Sequence, residues 1–311
     1  MKVYRSIEEF IPPPKTVVTS GTFDGVHFGH QQILKQITTA AREEGAETVM
    51  ITYWPHPRFV LFDDPQKHPK LLTTLEEKIK LLEQNGLDHL IVLEFNKEFS
   101  KLTSMEFIQH ILIDGIQTNK LVIGYDHKFG RNQEGSFDYL KEHAPSFGFE
   151  VEEIPKQELE EVAVSSTKIR EALHQGDVKR ANKYLRYRYM IHGTVTDGNK
   201  LGRKIGFPTA NIKVDVDYKL IPKNGTYAVE VEINQKRYMG MLNIGNKPTV
   251  TDGSQKTIEV NIFHFNENIY GEEISVRFVD FLRNEQKFSN VDELIHQLSI
   301  DKQNTLQLFQ S

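Results

Sequence analysis

Gly21-Thr22-Phe23-Asp24-Gly25-Val26-His27-Phe28-Gly29-His30 decides how the first half of this chain is read. It follows a short apolar run, Val17 to Ser20, and precedes a helical pattern, so it is expected to link a strand to the N-terminus of a helix. Gly21 and Gly29 let the backbone come close to a ligand, and a helix N-terminus offers unpaired N–H groups and a positive dipole end to phosphate. Phe23 and Asp24 lie inside the same turn and are counted with the phosphate-binding residues. His27 and His30 add two hydrogen-bond donors that can meet a transferred phosphate from two points. Alone, such a pair also reads as two satisfied structural histidines.

The surroundings of this stretch set the fold class. From Lys15 to about Pro155, apolar runs alternate with helical patterns, as in an α/β domain with a parallel sheet. Strands are expected at Val17 to Ser20, Thr48 to Trp54, His89 to Phe95, Lys120 to Tyr125 and Phe149 to Ile154. Capping boxes, Thr74 with Glu77 and Thr103 with Glu106, open two of the helices between them, and Gly86 stops the first. In open α/β sheets ligands bind outside the carboxyl ends of the strands. The loops expected there carry Gly21 to His30, then His56 between two prolines, then Asp126 to Gly130, then Ser165 to Arg170.

Ser165, Ser166 and Thr167 place three successive hydroxyls at a helix start, followed by Lys168 and Arg170. These groups suit polyphosphate, and the plain alternative is a hydroxyl N-cap with a solvated basic turn. Beside Gly21 to His30, the stretch reads as the second half of one nucleotide site.

Beyond Ile191 the period of the pattern becomes two. Tyr227, Val229, Val231 and Ile233 alternate with polar neighbours, as do Ile258, Val260 and Ile262, which predicts a small antiparallel β-barrel closed by a helix from about Val291 to Phe309. Leu201 to Ile212, LGRKIGFPTANI, supplies Gly202 and Gly206, a rigid turn at Pro208, and oxygen ligands at Thr209 and Asn211. Oxygen donors suit a hard cation such as Mg2+, with nucleotide phosphates completing its shell. Glu259 lies on the strand face opposite Ile258, Val260 and Ile262, where a carboxylate can serve as general base toward a hydroxyl or simply face solvent.

Composition limits the remaining possibilities. The 311 residues are 38% hydrophobic and 26% charged with a net charge of -5, and the isoelectric point is about 6.2. This balance argues against a nucleic-acid partner. Without a single cysteine, disulfides and thiolate sites are excluded and a reducing cytoplasm is the expected compartment. The opening MKVYRSIEEF has no apolar h-region after its basic residues, and no apolar run approaches the roughly 18 residues of a membrane span, so neither export nor membrane insertion is expected. No motif specifies an oligomeric state.

GTFDGVHFGH with SSTKIR resembles the nucleotidylyltransferase superfamily, and with YWPHP and GYDHKFG it resembles the adenylyltransferase half of the prokaryotic bifunctional riboflavin kinase and FAD synthetase family. That resemblance implies a Rossmann-like domain over 1–184 that transfers AMP from ATP to FMN, releasing pyrophosphate. His27 and His30 would stabilise the pentacoordinate phosphate, Ser165, Ser166, Thr167 and Arg170 would hold the triphosphate, and His56 would lie beside it. Asp126 would stand on the flavin side. The motifs GFPTANI, NGTYAV, GMLNIGNKPT and EVNIFHF resemble the riboflavin kinase domain of the same family, here 185–311. A six-stranded barrel that phosphorylates riboflavin with Mg-ATP is implied. Thr209 and Asn211 match its metal and phosphate positions, Glu259 its catalytic base, and Arg283 a loop near the flavin.

Some positions depart from the family's pattern: His127 and Lys128 replace Phe and Arg of Asp-Phe-Arg-Phe-Gly, and Asn261 and His264 stand where His and Asp are frequent. Loss of one activity, a regulator without chemistry, or a nucleotidylyltransferase for another acceptor are the competing readings. The intact set His27, His30, Thr209, Asn211 and Glu259 weighs against a regulator, and the kinase-like barrel against another acceptor.

Overall fold

A computed structural model describes residues 1–125, 127–155, 164–198, 201–247 and 255–310. By packing, the chain divides into two compact units, Met1–Ser166 and Thr167–Ser311.

The first unit is a parallel sheet of six strands in the order β1-β4-β3-β2-β5-β6. These are β1 (Lys2–Tyr4), β2 (Thr16–Ser20), β3 (Glu47–Trp54), β4 (His89–Glu94), β5 (Lys120–Gly124) and β6 (Glu150–Ile154). The central strand β2 is buried along its whole length, as expected for a strand covered on both faces. Five of the six strands fall where the apolar runs predict them, to within a residue or two. β1 is the exception; its three residues carry too little pattern to announce it, and it joins the sheet edge beside β4. The other edge, β6, exposes Glu150 and Glu152.

Helices cover both faces: α1 (Phe28–Glu44), the short α2 (Pro57–Leu61), α3 (Leu75–Gln84), α4 (Ser104–Glu106) and α5 (Phe137–Phe147). Both capping boxes form as the sequence predicts, on α3 and α4. After α4 the chain continues as a π-helix, Phe107–Gly115, which the apolar spacing did not foretell because Phe107, Ile108, Ile111 and Leu112 are buried in either winding. The strand order reverses at β2: the chain steps outward through β3 and β4, then returns to place β5 on the other side of β2. The crevice at this switch point lies between the carboxyl ends of β2 and β5, and the Gly21 to His30 loop leaves β2 there.

The second unit begins with α6 (Ser166–Gln175, whose first residue packs with the first unit) and α7 (Val178–Leu185, N-capped by Asp177). Its body is a closed antiparallel barrel in the order β10-β11-β8-β7-β12-β9. The strands are β7 (Met190–Thr196), β8 (Ala210–Lys213), β9 (Gly225–Ile233), β10 (Lys236–Lys247), β11 (Gln255–Ile262) and β12 (Glu273–Arg283), with the short α8 (Leu201–Lys204) before β8 and α9 (Val291–Leu308) after β12. The period-two stretches Tyr227 to Ile233 and Ile258 to Ile262 fall on β9 and β11. β8, at four residues, is too short to alternate visibly.

Tyr227, Val229, Leu242, Ile244, Val260, Val276 and Phe278 fill the barrel core and are essentially inaccessible. The Phe278 ring meets Tyr227 edge-on at 5.1 Å and lies 6.1 Å from Tyr189. Asn182 of α7 ties the preceding helix to this core element by donating from Nδ2 to the Phe278 carbonyl at 2.9 Å. Phe278→Ala is expected to destabilise the barrel by about 3–5 kcal/mol through the cavity it leaves. Faster amide exchange in β9 and β12 checks this, while the fluorescence transition of the chain's one tryptophan, Trp54 in the first unit, stays in place.

Candidate functional sites

The Gly21 to His30 loop has an unusual backbone. Phe23, Gly25 and Val26 have φ of 45, 82 and 38°, and a left-handed phenylalanine and valine cost about 1–3 kcal/mol each unless neighbours enforce them. Those neighbours are present. The buried Asp24 carboxylate accepts from the N–H groups of Leu72 and Thr73 at 2.9 and 3.2 Å, and Gly25 N–H donates to Thr73 Oγ1 at 3.2 Å. Lys78 Nζ donates to the Thr22 carbonyl at 2.9 Å, and Gln31 Nε2 to the Val26 carbonyl at 2.8 Å. The Ser166 hydroxyl donates to the Asp24 carbonyl at 3.0 Å. A Cβ at Gly21 would lie 2.9 Å from the Phe23 ring, so glycine there lets that ring fold back.

His27 is the N-cap of α1 and His30 sits in its first turn. Their rings stack at 3.6 Å and 16°, and Phe23 covers the other face of His30 at 4.4 Å and 19°. Burial, the neighbouring His27 and the Lys78 ammonium hold the His30 imidazole well below the usual histidine range. It is therefore a neutral ring at physiological pH, able to donate one N–H. No acidic residue occupies the first turn of α1, which leaves its dipole end open to an anion.

Over the switch point lies a cavity of about 890 Å³ whose wall includes Ser20, Gly21, Phe23 and His30 on one side and Gly124, His127 and Gly130 on the other. Tyr53, Phe95, Phe99, Phe107 and Phe129 give it an aromatic lining, and Lys101, Lys128 and Arg131 bring positive charge to it. This suits a flat aromatic ligand carrying phosphate. Ser20 Oγ lies 3.2 Å from His127 Nε2 and also bonds Tyr53, whose hydroxyl burial pushes up to about 12. Burial, aided by Lys128, pushes His127 down to about 4.

In the second unit, Glu259 of β11 pairs across the sheet with Asn211 of β8. Its carboxylate accepts from the Thr209 hydroxyl at 3.4 Å. Asn261 Nδ2 donates to the Pro208 carbonyl at 2.6 Å, fixing the entry to β8. Two cavities meet at this point. One, of about 310 Å³, is lined by Gly202, Thr209, Glu259, Asn261 and Arg283 with Phe288, Leu294 and Leu298. The other, of about 550 Å³, is lined by Arg203, Pro208, Thr209, Val260 and the loop from Phe265 to Tyr270. Thr209 belongs to both walls. Arg283 is held by the buried Asp301 of α9, with Nε 3.0 Å from each carboxylate oxygen and Nη2 2.8 Å from Oδ2.

A family model described as FAD synthetase matches residues 11–168, and one described as riboflavin kinase matches residues 185–309. A Listeria monocytogenes protein named bifunctional riboflavin kinase/FMN adenylyltransferase is 41% identical over 293 residues, covering 94% of this chain and 92% of that protein. This chain belongs to the bifunctional riboflavin kinase/FMN adenylyltransferase family. A Bacillus subtilis protein of the same name is 39% identical over 95% of this chain and 93% of its own length. A solved structure called a macrolide-efflux protein, from Streptococcus pneumoniae, shares the fold with a TM-score of 0.88 at 34% identity over 98% of both chains. Among the described residues of this family member, no helix is long and apolar enough to cross a membrane.

The residues singled out from sequence distribute unevenly. Gly21, Phe23 and His30 line the first cavity and His27 stacks against His30, whereas Asp24 lies beneath the loop as its anchor. Gly29 leaves the first turn of α1 clear beside the His27 ring. His56 caps α2 by accepting from Arg58 N–H, while its neighbour Pro57 lines the cavity. Ser166 reaches the loop through Asp24; Thr167 and Arg170 follow on α6 within the second unit, and Ser165 immediately precedes that helix. Asp126 lies outside the described residues. Gly206, at φ 83°, turns the chain after α8, and Gly202 admits the Phe207 carbonyl, which a Cβ would meet at 2.2 Å. Asn211 packs on Gly198, where a Cβ would clash with its amide.

Lys78, His127, the aromatic wall and Asp301 were not anticipated as site residues from sequence. Lys78 and Asp301 lie within ordinary amphipathic helices, and His127 is marked in the sequence only by its departure from Asp-Phe-Arg-Phe-Gly. Its neutral burial carries a consequence for acid stability. The unfolded chain binds this proton at the usual histidine pKa of about 6.5, the folded one near 4, so the first unit loses stability as pH falls through that window. His127→Phe is expected to make unfolding of the first unit less acid-sensitive between those values, as followed by Trp54 fluorescence.

Proposed function

We propose that this chain makes FMN from riboflavin in its barrel and FAD from FMN in its first unit, consuming one ATP at each step. The first step yields ADP and the second yields pyrophosphate. The observation that carries this reading is the barrel carboxylate Glu259, in hydrogen-bond contact with Thr209 at the junction of two cavities, in a family member whose other half bears a phosphate-type loop over an aromatic cavity. We assign the adenylyltransferase module to 1–184 and the kinase module to 185–311.

In the barrel, riboflavin occupies the cavity walled by Glu259, Leu294 and Leu298, and the nucleotide enters from the opposite side of Thr209. Glu259 accepts the proton of the flavin 5′-hydroxyl as that oxygen attacks the terminal phosphate of ATP. Arg283, clamped by Asp301, borders the flavin side. Gly202, Gly206 and Pro208 shape the turn that covers the phosphates. Among the described residues no group of three or more His, Cys, Asp or Glu side chains converges as a metal cage. Thr209 and Asn211 instead offer neutral hard oxygens beside one carboxylate, which fits Mg2+ arriving on nucleotide phosphates better than a resident ion. Thr209 and Asn211 would hold such an ion, which would supply charge neutralisation at the phosphates.

In the first unit the phosphate of FMN is the nucleophile, so no protein nucleophile is required. His27 and His30 donate hydrogen bonds to the phosphate being transferred, and neutral His30 does so without giving up a proton. Gly21, Phe23 and Gly29 let the loop backbone close on it. Within the 1–184 module, Ser165, Ser166, Thr167 and Arg170 are assigned as triphosphate ligands by the family resemblance, with His56 assigned to the nucleotide and Asp126 to the flavin. The partners are small molecules, flavins and ATP, with no role for nucleic acid, and the chain's lack of cysteine fits the cytoplasm.

Purified protein given riboflavin, ATP and magnesium is expected to accumulate FMN and then FAD on chromatography; the absence of both overturns the reading. Glu259→Ala is expected to slow FMN formation by about 10²-fold or more while FAD synthesis from supplied FMN continues. His30→Ala is expected to do the reverse, slowing FAD synthesis by about 10²- to 10³-fold. Loss of both activities in either folded variant contradicts separate sites.

A further inference from the structure

Lys78 is a buried ammonium that the steps above leave without a role. It lies on α3 with 5% of its surface exposed, and its Nζ donates to the Thr22 carbonyl at 2.9 Å and to Thr52 Oγ1 at 3.2 Å. Those acceptors belong to the Gly21 to His30 loop and to β3, so one charge bridges the loop to the sheet from below. A methionine would fill similar volume without desolvating a charge, which makes lysine an expensive choice on packing grounds alone.

The peptide plane gives its position a consequence. In a trans peptide the carbonyl and the following N–H point in opposite directions. With its carbonyl turned down to Lys78, the Thr22–Phe23 peptide directs the Phe23 N–H away from the ammonium. Among the described residues nothing accepts from that N–H, and Phe23 lines the large cavity. We propose that Lys78 is a positioning residue for adenylyl transfer, which aims the Phe23 N–H at the transferred phosphate and sets a fixed positive charge beneath it. This inference rests on the adenylyl-transfer reading of the first unit.

The charged surroundings of Lys78 agree with that role. Asp24, on the loop, favours its protonated form, but burial outweighs this and pushes the ammonium down to about 8. His30, on α1, is neutral and is kept so in part by Lys78 itself. Glu77, adjacent on α3, is engaged in the Thr74 capping box, and β3 contributes the Thr52 hydroxyl, which also lies 3.5 Å from the Thr22 carbonyl. The positive charge under the loop therefore belongs to Lys78, and it is lost as pH rises through 8.

Steady-state FAD synthesis from FMN and ATP by the full chain, from pH 6.5 to 9.5, tests the inference with wild type, Lys78→Met and Lys78→Gln, riboflavin phosphorylation on the same samples serving as control. Wild type is expected to lose rate with one proton above about pH 8, as the lysine discharges. Lys78→Met is expected to lower kcat by about 10²-fold, to keep riboflavin phosphorylation, and to lack the alkaline limb. Lys78→Gln, which keeps a donor to the Thr22 carbonyl without the charge, should recover part of kcat and also lack the limb. A Lys78→Met rate within threefold of wild type, or a limb that persists in either variant, overturns the inference. Should Lys78→Met fail to fold, Lys78→Gln and the wild-type profile decide, a flat wild-type rate across pH 8 counting against it. If wild type makes no FAD at all, the underlying reading has failed as well; FAD made equally well by the variants defeats the Lys78 inference alone.

Discussion

A loop that cannot hold its own shape is the constraint on which the first unit turns. Phe23 and Val26 occupy backbone conformations that these side chains disfavour, so the loop persists only because groups outside it make every alternative worse. The Leu72 and Thr73 amides that hold Asp24, the Thr73 hydroxyl and Lys78 do most of that work, all within or just before α3. The capping box that starts α3 at Thr74 is therefore more than a helix signal: it places the Leu72 and Thr73 amides where the Asp24 carboxylate can use them. The stacked rings Phe23, His30 and His27 are carried on the backbone anchored in this way.

The barrel solves a different problem with less strain. Its chemistry needs a carboxylate, a hydroxyl and an amide to face one another outside an apolar core, and period-two alternation delivers that arrangement without special backbone. Neighbouring strands β8 and β11 place Asn211 beside Glu259 by register alone. Only the approach to β8 needs help, from two glycines, Pro208 and the Asn261 amide. Because Thr209 belongs to the walls of two cavities, a small displacement of this turn alters both at once.

Much of this was legible in the residues. The alternation of apolar runs, both capping boxes, the change of period near Ile191 and the motif-bearing loops all lie where local physics puts them. What escaped had local reasons too. β1 and β8 are shorter than the patterns that reveal strands, and a π-helix buries the same four apolar residues an α-helix would. Lys78 and Asp301 look like ordinary polar residues of amphipathic helices, because what sets them apart is the neighbour each meets across the fold. Asp24 was legible as part of the loop, yet its carboxylate serves the backbone before α3.

The edges of the parallel sheet have a consequence of their own. β1 is only three residues long, and β6 carries Glu150, Glu152 and Glu153, with Lys120 of the adjacent strand answering Glu152 at 3.0 Å. A short edge and an acidic edge both resist the addition of a foreign strand, and the barrel, being closed, presents no edge at all. Two sheet-rich units can thus share one chain at high local concentration without templating each other's aggregation.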